Sequence, residues 1–228
     1  ADQKWKKVRA EKISTIVDKA KDTIENLRTN DEIYEKVEGA ILPAAPLADA
    51  PMSPTGKLSG RAERAISKTG LWGLFVPQTY GGSGCSHIEL MQAITHLACV
   101  NPTVSGLLSV HSTIGAVSAL TTFGSDDQRQ HWLPRLAVGN PMSVFAATEP
   151  DAGCDLHRVA SQLDYDGKQF RLTGTKMFIT GATYGRLVKL LAISEGKPVI
   201  VLVKLPDSDT PHFTLQSYGL HPLKHAHN

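Results

Sequence analysis

The 228-residue chain has little cysteine, and its charges nearly cancel. Its three cysteines, Cys85, Cys99 and Cys154, are an odd number without a C-x-x-C spacing, which argues against a disulfide framework. We therefore expect the protein to reside in a reducing compartment, either the cytoplasm or the mitochondrial matrix. A net charge of +2 argues against the concentrated basic surface of a nucleic-acid-binding protein. The basic residues near the start alternate with acidic ones, as on a solvated helix face.

Long apolar runs and complete catalytic motifs are also lacking. No apolar run approaches the roughly 20 residues of a membrane span, so we expect no transmembrane segment, and the start does not resemble a secretory signal. Residues 81–85 lack the last glycine of a nucleophile elbow, and His87 stands where a dinucleotide-binding fingerprint needs glycine. His221, His225 and His227 have no acidic or cysteine residue beside them, and we expect no metal site.

The pattern of apolar residues changes near Pro141. Before it, apolar residues recur at three- and four-residue steps and predict helices; after it, short stretches separated by Gly, Asp or Ser predict strands. The predicted helices are residues 4–28, 59–69, 86–99, 103–123 and 126–137. The predicted strands are residues 144–147, 159–165, 169–174, 176–180, 187–194, 198–204 and 213–217.

These elements predict an α+β multidomain fold. Residues 1–140 are expected to form an N-terminal α-helical bundle, and residues 141–228 an antiparallel β-barrel or sandwich-like domain. Residues 164–167, D-Y-D-G, predict a hairpin within that domain. Four prolines in residues 41–57 predict a long irregular connection.

Two short segments carry most of the functional information. Residues 145–155 read F-A-A-T-E-P-D-A-G-C-D, and residues 176–180 read K-M-F-I-T. Together they offer hydrogen bonds for a heteroaromatic edge, close backbone approach at a phosphate, and a flat apolar wall, which is what a large planar, phosphorylated cofactor needs. Taken alone, the first also fits an ordinary turn and the second an amphipathic strand with Ile179 in the core.

The two segments resemble the T-E-P-x-A-G-S-D and K-x-(W/F)-I-T segments in the middle domain of the acyl-CoA dehydrogenases. Residues 70–82, G-L-W-G-L-F-V-P-Q-T-Y-G-G, are similar to a further stretch of the same family. The resemblance implies FAD-dependent α,β-dehydrogenation of an acyl-CoA thioester, with hydride transfer from the substrate β-carbon to flavin N5. It also implies an electron-transfer flavoprotein-type acceptor and, in the full-length form, a homo-oligomer.

The same resemblance assigns roles to individual residues. Ala147 and Thr148 would bind the pyrimidine edge of the flavin, while Phe178 and Thr180, on one face of a strand, would meet its ring. The residues expected to bind FAD are Phe145, Ala147, Thr148, Gly153, Cys154, Phe178, Ile179 and Thr180. Those expected to bind substrate are Cys154, Leu107, Leu108 and His111, although a hydrogen bond between helices is an alternative role for His111.

The chain departs from the family pattern in ways that bear on chemistry. Cys154 replaces a serine, and its thiol is a weaker donor to a phosphate than a hydroxyl. Its two alternative roles are a buried small side chain and a Cys–His nucleophile with His157. Gly181-Ala182 replaces Asn-Gly. Glu149 is interpreted as structural, and the family's catalytic glutamate lies in a C-terminal helical domain that we expect this chain to lack. The catalytic residue is therefore unknown, and the chain alone is expected to be inactive.

Two other functions remain open. One is a flavin-dependent oxidase or monooxygenase of the same fold that acts on a non-CoA substrate. The other is a non-catalytic, truncated homologue that serves as a binding subunit. Oxygen consumption during turnover would distinguish the first from a dehydrogenase, and flavin at near one per subunit would count against the second.

Overall fold

The structure, a computed structural model, describes residue 64 and residues 66–216 except residue 184. The predicted helix at residues 4–28, the connection at residues 41–57 and the three C-terminal histidines lie outside the described residues. The helix predicted for residues 59–69 is described only near its end, where Gly70 adopts a left-handed conformation with φ 77°.

Four α-helices follow the end of that helix in the described part of the chain. They are α1 (His87–Val100), α2 (Pro102–Ser109), α3 (Ala116–Phe123) and α4 (Asp126–Ala137), preceded by 3₁₀ turns at Leu71–Gly73 and Gln78–Tyr80. α1 and α4 begin with reciprocal capping boxes, in which Ser86 pairs with Glu89 and Ser125 pairs with Gln128. Such local signals explain why the predicted range of α4 agrees with the structure.

The single helix predicted for residues 103–123 was wrong, because a π-helical turn at Val110–Ile114 and an extended Gly115 separate α2 from α3. A Cβ on Gly115 would lie 2.4 Å from Ser143 Oγ, so a larger side chain does not fit. That hydroxyl accepts a hydrogen bond of 2.9 Å from the Ala116 amide, where α3 begins. Contact with a distant residue therefore breaks the helix, although the apolar spacing continues through the break.

By length and composition, the 22-residue stretch Pro102–Phe123 could cross a membrane, so it is more apolar than we expected. However, 61% of its most apolar window is buried inside the protein. Its buried apolar residues belong to the helical core: Val104, Leu107, Leu108, Ala116, Val117 and Leu120. This burial is typical of the core helix of a globular domain.

Five strands form one mixed sheet around a central strand. The strands are β1 (Met142–Ala146), β2 (Gln162–Tyr165), β3 (Phe170–Thr173), β4 (Gly185–Ser194) and β5 (Lys197–Lys204). β5 pairs with β4 in antiparallel orientation, β1 pairs with β4 in parallel, and β2 joins β4 in parallel where Gln162 meets Ile193. β2 and β3 form the antiparallel hairpin predicted at residues 164–167.

The predicted antiparallel barrel or sandwich is not confirmed, because the described sheet is mixed and not closed. An alternating pattern has the same period in parallel and antiparallel strands, so the sequence does not reveal strand direction. Here the chain leaves β1, forms the β2–β3 hairpin and returns in β4 parallel to β1.

Two predicted strands are absent from the described residues. Residues 176–180 form no strand, and Phe178 adopts a positive φ of 58°. Phe178 and Thr180 therefore do not share a strand face. Near residues 213–217 the structure has only an isolated bridge between Thr210 and Phe213, and residue 217 lies outside the described part.

The helices and the sheet share their core. Met142 packs with the buried residues of α1 and α2, and Leu187 packs with Leu120 and Leu133 of α3 and α4. A third cluster covers the other face of the sheet: Val144, Ala146, Ile179, Ala182, Val188, Leu190 and Ala192. A cavity of about 650 Å³ opens on that face, and its lining includes Lys176, Ile179, Leu190, Val203 and Phe213.

Candidate functional site

The two motif segments are in direct contact, although only the first begins on a strand. The Met177 amide donates a 3.0 Å hydrogen bond to the Thr148 carbonyl. Lys176 Nζ donates a second 3.0 Å bond to the Ala147 carbonyl. The backbone just after β1 is therefore tied to the start of the second segment at two points.

An ion pair strengthens this junction. Lys176 Nζ lies 2.6 Å from Glu149 Oε1, and the two side chains are 9% and 6% exposed. Glu149 also accepts hydrogen bonds from the amide of Ala160 at 2.7 Å and from the amide and hydroxyl of Ser161 at 3.1 and 2.5 Å. The carboxylate therefore gathers donors from two other stretches of the chain, as the structural interpretation of Glu149 predicts.

The hydrogen bonds also fix the charge of Glu149. Burial acts to raise the pKa of this carboxyl, but the bonds from Lys176, Ser161 and Ala160 outweigh it and lower the pKa to about 2. The group is thus ionised at neutral pH, with its oxygens committed to donors within the protein. A carboxylate in this state is a poor general base.

The residues of the first segment that are expected to bind FAD are more exposed towards its end. Phe145 on β1 is half-buried, as are Ala147 and Thr148, whereas Gly153 and Cys154 are exposed. A Cβ placed on Gly153 would meet no atom within 4 Å, so the backbone there is open to a ligand. The segment thus passes from a half-buried edge to an accessible turn.

The exposed position of Cys154 bears on its alternative roles. The interpretation of Cys154 as a buried small side chain was wrong, because the thiol is exposed. His157 is also exposed, and its amide donates to Asp155 Oδ1 at 3.2 Å. In the described part of the chain no hydrogen bond joins Cys154 to His157, so the arrangement does not support a Cys–His nucleophile.

The second segment presents its side chains in different directions. Phe178 is 57% exposed, Ile179 is 7% exposed and belongs to the sheet core, and Thr180 is half-buried. The amide of Ala182 closes a turn by donating to the Ile179 carbonyl at 3.2 Å. Ile179 therefore anchors the segment to the sheet while an aromatic ring next to it remains at the surface.

The side chain of Thr183 is 8% exposed, yet its hydroxyl has no hydrogen-bond partner in the described part of the protein. An unpaired buried hydroxyl costs about 1–3 kcal/mol. Thr183 follows Thr180 by three residues, in the stretch that leads into β4. A ligand at this segment that offered a polar atom would remove that cost.

His111, Leu107 and Leu108 are all buried. The Ser143 amide donates to His111 Nδ1 at 2.9 Å, so the ring proton is on Nε2, which donates to the Leu136 carbonyl at 3.0 Å. Burial lowers the pKa of His111 to about 4, although the bond to Leu136 opposes that shift. The alternative role of His111, a hydrogen bond between helices, is therefore present as its bond to α4. The ring also bonds β1, so it joins both elements to the π-helical turn. Its predicted contact with substrate stays a prediction.

The contacts of two lysines at the site were not predicted from the sequence. Lys176 was part of the second motif, but a contact across 27 residues with Glu149 has no local signal. Lys189 on β4 pairs with Phe145 on β1, and its Nζ lies 4.7 Å from the centroid of the Phe145 ring. A single lysine within the strand sequence L-V-K-L-L was the available hint.

Taken together, the arrangement suits a planar ligand with a phosphorylated tail. It has a backbone edge at Ala147 and Thr148, an exposed ring at Phe178, and an open glycine turn at Gly153. The buried ion pair holds the two segments in one relative position.

Two protein-family models match this chain. Residues 29–140 match the family model for the N-terminal domain of acyl-CoA dehydrogenases, and residues 144–227 match the model for the middle domain. Acyl-CoA dehydrogenase FadE12 of Mycobacterium tuberculosis is 34% identical over 151 residues, which are 64% of this chain and 38% of the relative. The chain thus spans about two fifths of that curated relative's length.

Solved structures show the same fold. Glutaryl-CoA dehydrogenase from Mycobacterium smegmatis matches with a TM-score of 0.72 and 26% identity, over 87% of this chain and 51% of the other. A glutaryl-CoA dehydrogenase of the same organism in complex with FADH2 matches with a TM-score of 0.68 and 24% identity, over 89% of this chain and 52% of the other.

Proposed function

The chain belongs to the acyl-CoA dehydrogenase family, and on that premise we propose that it forms the FAD-binding part of an enzyme that dehydrogenates acyl-CoA thioesters between the α- and β-carbons. The observation that carries the proposal is the junction of the two motif segments through Lys176, Glu149 and the Met177–Thr148 backbone bond. The relative named above as an FADH2 complex supports the choice of cofactor.

The residues present fit a flavin. Ala147 and Thr148 would offer the hydrogen bonds for its pyrimidine edge, and Phe178 and Thr180 would meet the ring system with an aromatic face and a hydroxyl. Gly153 and Cys154 would lie at the pyrophosphate, where the exposed glycine turn permits close approach. When bound, FAD supplies the electron sink that accepts a hydride.

The position of α2 supports a place for the acyl chain. A Cβ on Gly181 would lie 3.6 Å from Leu107 Cδ2 and 3.4 Å from Val144 Cγ1. The helix that carries Leu107 and Leu108 therefore lies directly beside the loop that follows Thr180. We propose that an acyl group which reaches the flavin would approach this helix, with His111 behind it.

The catalytic base is proposed to lie outside the 228 residues. Glu149 lies within the first segment, and its committed oxygens and a pKa of about 2 make it unsuitable. The chain would then bind cofactor and position it, while proton removal from the substrate α-carbon needs a carboxylate from elsewhere. On its own the chain is expected not to dehydrogenate acyl-CoA.

An FAD titration with matched variants tests the proposal. Thr180→Val keeps the shape of the side chain and removes its donor, so the FAD dissociation constant should rise about tenfold, equivalent to about 1.4 kcal/mol. Thr173→Val, at an exposed threonine on β3, is the control and should bind as the wild type does. Equal affinities for the two variants would reject the assignment of Thr180.

A further inference from the structure

Lys189 occupies an unusual position for a lysine. It lies in the middle of β4, the central strand, with β1 on one edge and β5 on the other. Its register partners are Phe145 and Leu202, and the neighbours two positions away along β4 are Leu187 and Leu191. The side chain is half-buried on an otherwise apolar part of the sheet.

The charge of Lys189 has no acidic partner in the described part of the chain. Its ammonium lies over the ring of Phe145, at 4.7 Å from the centroid, which is a cation–π contact. Burial lowers the pKa of Lys189, so the surroundings disfavour the charge. Lys176, by contrast, has its charge cancelled by Glu149.

A partly desolvated cation beside a ligand's ring stabilises negative charge that develops on that ring. A hydride carries one hydrogen and two electrons, so a neutral ring system that accepts it gains one negative charge. The substrate C–H bond supplies the hydride in the proposed reaction. In that reaction, Phe145 would lie next to the ring that gains this charge.

We propose that Lys189 is an electrostatic residue of the cofactor site, whose ammonium, held over Phe145, stabilises the negative charge that the flavin ring gains on reduction. This inference rests on the proposed function and on the sequence-based expectation that Phe145 is one of the FAD-binding residues. It gives Lys189 a role in setting the reduction potential of the bound flavin, distinct from the structural role of Lys176.

The test is the midpoint potential of FAD bound to the chain, measured by equilibration with a redox dye. Lys189→Met retains the aliphatic stem and removes the charge, and Lys189→Gln is a second neutral variant. In both, the preference for reduced over oxidised flavin should fall about tenfold, which lowers a two-electron potential by about 30 mV. Lys189→Arg should retain the wild-type potential.

Lys204→Met is the control, because Lys204 is an exposed lysine on the adjacent strand β5, opposite Leu187. Its potential should equal that of the wild type. If the wild type binds FAD and the neutral Lys189 variants keep its potential, or if Lys189→Arg shifts it equally, this inference is overturned and the proposed function stands. If the wild type binds no FAD, the proposed function is overturned, and this inference with it.

Discussion

Lys176 Nζ lies 2.6 Å from Glu149 Oε1, in a buried ion pair that joins two segments separated by a hairpin. The same ammonium also bonds the Ala147 carbonyl, and the same carboxylate bonds Ala160 and Ser161. Both charges are thus satisfied within the protein. Removal of one partner from such a pair leaves the other buried and uncompensated, which typically costs about 3–5 kcal/mol.

Lys176→Met should therefore destabilise the chain by about 3–5 kcal/mol, because Glu149 would remain charged and buried. Urea unfolding followed by circular dichroism measures this loss. Lys168→Met, at an exposed position in the β2–β3 turn, is the control and should change stability by less than about 0.5 kcal/mol. If both variants unfold at the wild-type midpoint, the ion pair does not hold the segments together.

The bounds of α4 and the β2–β3 hairpin could be predicted because their signals are local. Ser125 and Gln128 specify the start of the helix, and residues 164–167 specify the turn. The conformation of residues 176–180 could not be predicted, because it is determined by the distant carbonyl of Thr148 and by the sheet core around Ile179. The Phe145–Lys189 contact depends on strand register, which alternation of apolar residues does not reveal.

Stability should depend on pH through His111. Its pKa is about 4 in the folded protein against an ordinary value of 6.5, so between these values the unfolded chain binds more protons. The contribution of His111 to the free energy of unfolding should therefore be fully present above pH 6.5. It should fall as the pH drops from 6.5 to 4. Urea midpoints across this range measure the slope.

A histidine variant identifies the source of that slope. His111→Gln should be less stable than the wild type at pH 7, because it loses the bonds to Ser143 and Leu136, and should show a shallower decline towards pH 4. His157→Gln, at an exposed histidine, should retain the wild-type slope. Parallel curves for the wild type and His111→Gln would show that another group causes the pH dependence.

Cys154→Ser should bind FAD as tightly as the wild type or more tightly, because a hydroxyl is a better donor to a phosphate oxygen than a thiol. Cys99→Ser, at an exposed cysteine on α1, is the control and should leave affinity unchanged. A higher FAD dissociation constant in Cys154→Ser alone would contradict the role of residue 154 as a phosphate donor.

Thr183→Val should separate a ligand contact from a merely unpaired hydroxyl. Without ligand, stability should be unchanged or higher, because the buried hydroxyl of Thr183 has no partner in the described part of the chain. FAD affinity should fall by roughly three- to tenfold if the cofactor provides that partner. Ser112→Ala removes the other such hydroxyl, which is on the helical side, and should leave FAD affinity unchanged. Unchanged affinity in Thr183→Val would show that the cofactor does not contact this hydroxyl.

Hydrogen–deuterium exchange with and without FAD tests most directly whether the two motif segments form one cofactor site. We expect FAD to slow amide exchange together in peptides that cover residues 145–155 and 176–183, and to leave the exposed turn at residues 166–169 unchanged. Protection of only one segment, or protection confined to other parts of the chain, would contradict the account.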